Sequence, residues 1–268
     1  LNAGSNTTLN VKVSYDINIT SQPASTISVL TANLEYSQAD GSGSSSQTAA
    51  EQLIATTVTS GDGLYQDDYG YIYKGANPNN YITFNNEVWR ILSVQADGTI
   101  KIVKNTNVRD MVWDSTNINN WTRPASLNTY LNEEYYNSLT DIEFVLGHDW
   151  NVGTVSEHTN LAELINDENS DTYYGWVGLI SLSEYLRAST NDSQCNHYEL
   201  NNTNYEMCRN INWLFNSSNQ WTLSSYIYSS SQGVFNIGYD GCIYGYNASF
   251  IDGVRPALYL RPDLSLTG

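Results

Sequence analysis

Basic residues are scarce in this chain. Lys and Arg total 11 against 28 Asp and Glu, a formal charge of −17 over 268 residues. Binding a phosphate backbone needs a Lys/Arg stripe that releases counterions, so nucleic acid is not an expected partner. An anionic membrane surface is not expected either. Long apolar runs are missing: no 18 consecutive residues are apolar, so no direct membrane insertion is expected. Histidine is rare, and His148, His158 and His197 are scattered without ligand spacing. No C-x-x-C occurs, so no metal site is expected. Asp240 and Asn247 offer loop oxygens to a hard cation, but without a D-x-D-x-D-G signature. There is no Ser-His-Asp spacing, H-E-x-x-H, Walker A or G-x-G-x-x-G, so neither enzyme activity nor a cofactor is expected. The acidic pairs Glu133/Glu134 and Asp167/Glu168 read as solvated surface rather than acid and base.

Cysteine is sparse too. Cys195 and Cys208 bracket the polar segment NHYELNNTNYEM. A disulfide between them would restrict its unfolded ensemble; the alternative is two free thiols in a cytosolic chain. Cys242 is left over, and burial or exposure suits it equally. No signal peptide is visible. The chain opens in a strand-like pattern, LNAGSNTTLNVKVSYDI, and reads as trimmed from a longer precursor.

What is abundant is Asn, Ser, Thr and Tyr, over a 40% hydrophobic content that supplies a core. Such a surface suits an extracellular or cell-surface location. The densest expression is Ser224 to Phe250, SSYIYSSSQGVFNIGYDGCIYGYNASF, with five Tyr, six Ser and four Gly and no Lys, Arg or Glu. Tyr gives amphipathic contact area at low entropy cost, while Ser, Gly and Asn give adaptable hydrogen bonds.

Residues 1–38 alternate like two strands, LNVKVSYDINI and TISVLTANLEYSQ. Two strands are marginal alone. They read as the end of an upstream β domain or as strands completed by a neighbouring subunit. Residues 39–50 contain ADGSGSSSQ, a flexible linker by composition. Residues 51–268 form the main domain. YGYIYKG, YITF, EVWRILSV and TIKIVKN read as antiparallel strands, with an Asn-Asn turn and an Ala-Asp-Gly turn. The period then changes: Ser126 is expected to cap a helix carrying Leu127, Tyr130, Leu131 and Tyr135. A second helix is expected after Ser181 or Ser183, and LAELINDE as a helical turn. Val254 to Leu260 reads as the last strand, interrupted by Pro256. Trp89 reads as core; Trp113, Trp121 and Trp150, in polar contexts, read as more open. Arg255 reads as one partner of a buried ion pair. The mixture predicts an α+β fold with small antiparallel sheets, two or three helices and long loops.

Several blocks resemble a domain of unknown function found in surface proteins of Gram-positive gut bacteria. They are YIYKGANPNNYITFNNEVWRILSVQADGTIKIVKN, WTRPASLNTYLNEEYYNSL, GLISLSEYL, the spaced cysteines before WLF, and GVRPALYLRPDLSLTG. The resemblance covers about residues 50–268. More loosely, Gly253, Val254, Arg255, Pro256 and Ala257 are similar to the Gly-Phe-Arg strand that ends C-type-lectin-like domains of the formylglycine-generating-enzyme type, with Val254 in place of the aromatic. Variable proteins of diversity-generating retroelements share that fold and display diversified residues just before such a strand. The resemblance implies a C-type-lectin-like domain whose ligand-binding positions are Tyr226, Tyr228, Tyr239, Asp240, Cys242, Tyr244, Tyr246 and Asn247. The expected ligand is a host or bacterial surface protein or a glycan. The rival reading is a structural stalk or pilus-like subunit in which these tyrosines only pack.

Overall fold

Thr48 sets the first helix. Its hydroxyl accepts from the Glu51 N–H, and the Glu51 carboxylate accepts from the Thr48 N–H at 2.8 Å. This reciprocal cap satisfies two donors that a helix start otherwise orphans. The helix, α1 (Ala49–Ile54), buries Ala49, Ala50 and Leu53 and begins just inside the span expected as linker. The chain divides between Ser46 and Gln47, and the computed structural model describes residues 47–156, 160–195, 205–228 and 231–263. The strands expected in 1–38 and the start of the linker lie outside them.

β1 (Gly63–Asp67), β2 (Gly70–Lys74), β3 (Tyr81–Phe84), β4 (Glu87–Val94) and β5 (Ile100–Lys104) follow, all paired antiparallel, with both β2 and β3 on β4. The predicted Asn-Asn turn joins β3 to β4. Asn85 and Asn86 both hold positive φ, 54° and 56°, the backbone that a two-residue hairpin of matching twist requires. β6 (Arg109–Val112) leads to α2 (Ser126–Thr129), which runs through a π-helical stretch at Tyr130–Tyr135 into α3 (Tyr136–Ser138). Leu127, Leu131 and Tyr135 face the core as the spacing predicts. Ser126 does not cap this helix. It is the first helical residue, and its N–H is taken by the distant Asp114 carboxylate at 3.3 Å.

Short strands and helices then alternate. They are β7 (Val145–Leu146), β8 (His148–Asn151), β9 (Thr154–Val155), α4 (Leu161–Glu168), β10 (Thr172–Gly175), β11 (Val177–Gly178) and α5 (Leu182–Arg187). Ser181 caps α5 in a second reciprocal box with Glu184. Next come α6 (Asp192–Cys195), α7 (Tyr205–Asn210), β12 (Gln220–Tyr228), β13 (Ser231–Ile237), β14 (Ile243–Tyr246), β15 (Ile251–Val254) and β16 (Ala257–Leu260). The class is α+β, with mostly antiparallel sheets and few short helices.

The largest sheet has the order β1-β2-β4-β5-β16-β11, with β3 also on β4 and β7 also on β16. The closing strand therefore shares a sheet with β2, but β4 and β5 stand between them. The other sheets are β14-β13-β12-β9, β10-β8 and β15-β6. The expected strand from Val254 to Leu260 is divided. Pro256, which has no N–H to give a ladder, ends one pairing, and Ala257 starts the next. Among the described residues no helix is long and apolar enough to cross a membrane.

Three sequence expectations fail for one physical reason: the partners of the residues concerned lie far along the chain. Trp113, Trp121 and Trp150 are fully buried, like Trp89. The indole N–H of Trp113 donates to the Thr222 carbonyl at 3.2 Å, and that of Trp150 to the Gly175 carbonyl at 3.1 Å, whereas those of Trp89 and Trp121 are buried without a hydrogen-bond partner among the described residues. Glu168 is buried, not solvated. It accepts from the Ser183 N–H at 3.2 Å and from the Ser183 and Ser224 hydroxyls, tying α4 to the start of α5 and to β12. Arg255 is buried, but among the described residues it has no carboxylate partner. Its Nε donates to the Lys104 carbonyl and its Nη1 to the Leu214 carbonyl, both at 2.7 Å, with the Gln220 side-chain oxygen at 3.4 Å. Burial and the Arg90 guanidinium pull its pKa down to about 9.

Two predictions follow from these buried groups. Arg255→Lys keeps the charge but loses the fork, leaving at least one buried carbonyl without a donor. We expect a loss of roughly 2–4 kcal/mol, measured as a lower denaturant midpoint at unchanged slope. Burial raises the Glu168 pKa against the opposing serine hydrogen bonds. Its stabilising contribution is therefore complete below the unfolded value, about 4.3, and is lost as pH rises through the folded value. Glu168→Gln should gain on the wild type in unfolding midpoint as pH rises above the unfolded value of about 4.3. A gap that is flat, or that moves the other way, would show that the serines hold the carboxylate ionised.

Candidate functional site

The Tyr/Ser/Gly-rich stretch folds as the hairpin sequence β12-β13-β14, and the pleat divides its tyrosines. Directly paired residues in an antiparallel ladder point to the same face. Tyr226 pairs with Gly233, whereas Tyr246 pairs with Val234 and Tyr244 with Asn236. Gly233 and Val234 are consecutive, so Tyr226 points away from the side that carries Tyr244 and Tyr246. Eight expected positions therefore do not form one surface.

Tyr226 is buried, at 7% exposure. Its ring stacks on Tyr228 at 4.8 Å and meets Phe235 at 5.0 Å. The reason lies in two glycines on the neighbouring strands. A Cβ at position 245 would stand 2.6 Å from the Tyr226 ring, and one at position 233 would stand 2.7 Å from its hydroxyl. The ring occupies the space that these glycines leave across the sheet. Tyr228 is half-buried beside it. Cys242 is buried and lies outside the disulfide. These three residues support the sheet rather than display themselves.

The outward side is different. Tyr244 and Tyr246 stack with ring centres 5.9 Å apart, and Tyr246 meets Phe250 at 5.5 Å. All three are exposed, and Ile251 follows at 72% exposure. Tyr239, at 68%, lines a cleft with Ile251. The cleft holds about 480 Å³, and Asn107, Asp110, Asn219 and Asp252 also line it. Asn247 is exposed in the turn between Tyr246 and Phe250. Residue-type reasoning missed Phe250, Ile251 and the Asn107/Asp110 pair. The apolar pair after the Asn-Ala-Ser turn was a readable signal; the cleft partners, distant in sequence, carried none.

Asp240 is a turn residue rather than a free ligand group. Its carboxylate accepts from the Cys242 N–H at 3.0 Å and from the Tyr244 hydroxyl at 2.7 Å. Burial pushes its pKa up, but these hydrogen bonds prevail and hold it below the usual aspartate range. The same bond raises the Tyr244 phenol. Asp252 runs the other way: burial raises its pKa, opposed by the Gly253 N–H and Asn236 bonds, with nearby Asp110 adding to the rise.

The expected disulfide is present and bears on this turn. Cys195 and Cys208, with Cα atoms 5.6 Å apart, join α6 to α7. Arg209, the next residue, donates to the Asp240 carbonyl at 2.8 Å. The covalent link thus anchors the helix that holds the base of β14. Of the histidines, only His148 falls among the described residues; it stacks on Tyr259 at 3.8 Å. Among those residues no group of three His, Cys, Asp or Glu side chains converges as metal ligands would.

The fit of Tyr226 over Gly245 is testable. Gly245→Ala should destabilise by roughly 1–3 kcal/mol through overpacking, and the loss should shrink in a Tyr226→Ala background. Additive effects in that double-mutant cycle would show that the ring does not depend on the glycine. Compared with family models, curated proteins and solved structures, the chain finds no match.

Proposed function

We propose that this chain is an extracellular or cell-surface binding protein that engages a protein or glycan through the row Tyr244, Tyr246, Phe250 and Ile251 with Tyr239 beside it. The observation that carries the reading is the exposure of this row, which runs from the edge strand β14 through the following turn to the start of β15. Large exposed apolar patches mark interaction sites more often than they serve stability. Aromatic side chains held by a neighbouring carboxylate and by stacking lose little entropy on binding. The disulfide between Cys195 and Cys208 suits an oxidising compartment.

A C-type-lectin-like scaffold is part of this proposal. It is supported by the closing strand lying in the sheet that also holds β2, and by the display of residues just before that strand. On the retroelement analogy, the positions free to diversify are Tyr239, Tyr244, Tyr246 and Asn247. Tyr226 and Cys242 are held by packing. The stalk reading draws support from one specific observation, the burial of Tyr226 against Gly233 and Gly245.

The test is a screen of immobilised surface proteins and glycans with the wild type and with Tyr239→Ser/Tyr244→Ser/Tyr246→Ser. We expect at least one ligand of the wild type to weaken by about 100-fold in the variant, as loss of central aromatic anchors does. Tyr81→Ser, an exposed tyrosine on the other sheet, is the control and should bind as the wild type. Equal binding of every ligand by the triple variant would place recognition elsewhere.

A further inference from the structure

A second cleft, of about 480 Å³, opens between the largest sheet and α5. This volume is in the range of small-molecule sites, about 300–1,000 Å³. None of its lining residues belongs to the aromatic row or to the cleft beside it. Its floor is a cross-strand row of polar side chains. Ser93 pairs with Lys101 across β4 and β5, and Lys101 pairs with Tyr259 across β5 and β16, so all three share a face. Lys101 is 3% exposed. Its ammonium donates to both Glu184 oxygens at 2.7 and 2.9 Å and lies 4.7 Å from the Trp150 ring centre.

Stability does not account for this arrangement. A buried ion pair recovers little more than its desolvation cost, and apolar residues of equal volume often serve better. The Glu184 oxygens also complete the α5 cap, but nothing local requires a lysine in the middle of the sheet. The pair does set the electrostatics of the cleft. Lys101 is matched by Glu184, and Arg187, also in the wall, is matched by Asp67 in a two-pronged pair at 3.0 and 2.8 Å. Glu168, also in the wall, carries no cation partner among the described residues, but its oxygens are taken up by Ser183 and Ser224. A charged ligand would therefore meet no side-chain charge that is not already engaged.

The mouth supplies different chemistry. Asn151 and Asn169 present exposed side-chain amides. Gln95, also in the lining, donates its amide N–H to the Ser93 hydroxyl at 2.7 Å. Tyr69 offers a ring at 42% exposure, with the Arg187 guanidinium 5.5 Å from its centre on one side. Amides both donate and accept, which is what a hydroxyl-rich ligand needs. A ring face covers the C–H side of such a ligand. We propose that this cleft binds a neutral polyhydroxylated ring, a sugar residue, at a site independent of the aromatic row.

The test uses the full chain and a panel of methyl glycosides of common neutral hexoses, pentoses and N-acetylhexosamines, with glucosamine and glucuronate as charged probes. The readout is the side-chain amide signals of Asn151 and Asn169 in an NMR titration. At least one neutral glycoside should shift them saturably, and more tightly than either charged sugar. Tyr69→Ala and Asn169→Ala should each weaken that binding by about tenfold or more without lowering the melting temperature. Tyr244→Ser/Tyr246→Ser should leave it unchanged, which separates this site from the row. The proposal is overturned if no neutral glycoside shifts these signals, if a charged sugar binds more tightly, or if both cleft variants bind as the wild type.

Discussion

The Arg255 guanidinium is the group on which the described structure turns. It sits where the chain leaves one sheet and enters another. The Val254 carbonyl accepts from the Val108 N–H and the Pro256 carbonyl from the Lys104 N–H, both at 2.8 Å. The side chain then reaches the Lys104 and Leu214 carbonyls and the Gln220 amide oxygen. Three segments that do not pair with one another as strands are thereby gathered on one charge. That charge is buried with neutral partners, so it has no carboxylate to fall back on. Moving any one segment would leave a desolvated cation short of an acceptor, which costs more than an ordinary lost hydrogen bond. The junction is therefore all-or-none: β12 starts at it and β15 ends at it.

The row depends on that junction through the sheet. Gln220 opens β12, and Ile251 opens the strand that ends beside Arg255. Between them the hairpins are held from beneath by Tyr226 over its two glycines and from the side by Arg209 on the Asp240 carbonyl. The disulfide that anchors Arg209's helix is local in sequence, yet its effect is felt at β14. An exposed Tyr on a mobile loop would have to be ordered by its ligand, at about 0.5–1.5 kcal/mol per side chain. Here Tyr244 is already ordered by Asp240 and by its stack with Tyr246.

Local chemistry was legible in the sequence, and distant chemistry was not. Thr48 with Glu51, Ser181 with Glu184 and the Asn85–Asn86 turn are each settled within a few residues, and each stands where propensity puts it. The cysteines were readable because two of them bracket a polar segment in the sequence. Trp113, Trp150 and Glu168 were misread because their partners, Thr222, Gly175, Ser183 and Ser224, lie far along the chain or belong to another element. Tyr226 was misread for a subtler reason. Composition counts tyrosines without regard to strand parity, and parity is what sends Tyr226 and Tyr244 to opposite faces.

The same parity argument bears on the sheet beneath α5. Strand patterning leads one to expect Val and Ile where Lys101 lies, and its neighbours Ile100, Ile102 and Val103 are indeed buried and apolar. A charge at the one inward position that meets Glu184 is a local conflict with the hydrophobic pattern. Such conflicts cost stability and concentrate where a chain has some other requirement to meet. Arg255 and Lys101 are both cations buried beside aromatic or carbonyl-rich walls, but they differ in what lies next to them. Arg255 is enclosed on every side that its hydrogen bonds define, which makes it structural. Lys101 faces a cleft lined by exposed asparagines and a partly exposed ring, and that difference in surroundings, rather than the charge itself, sets the two cations apart.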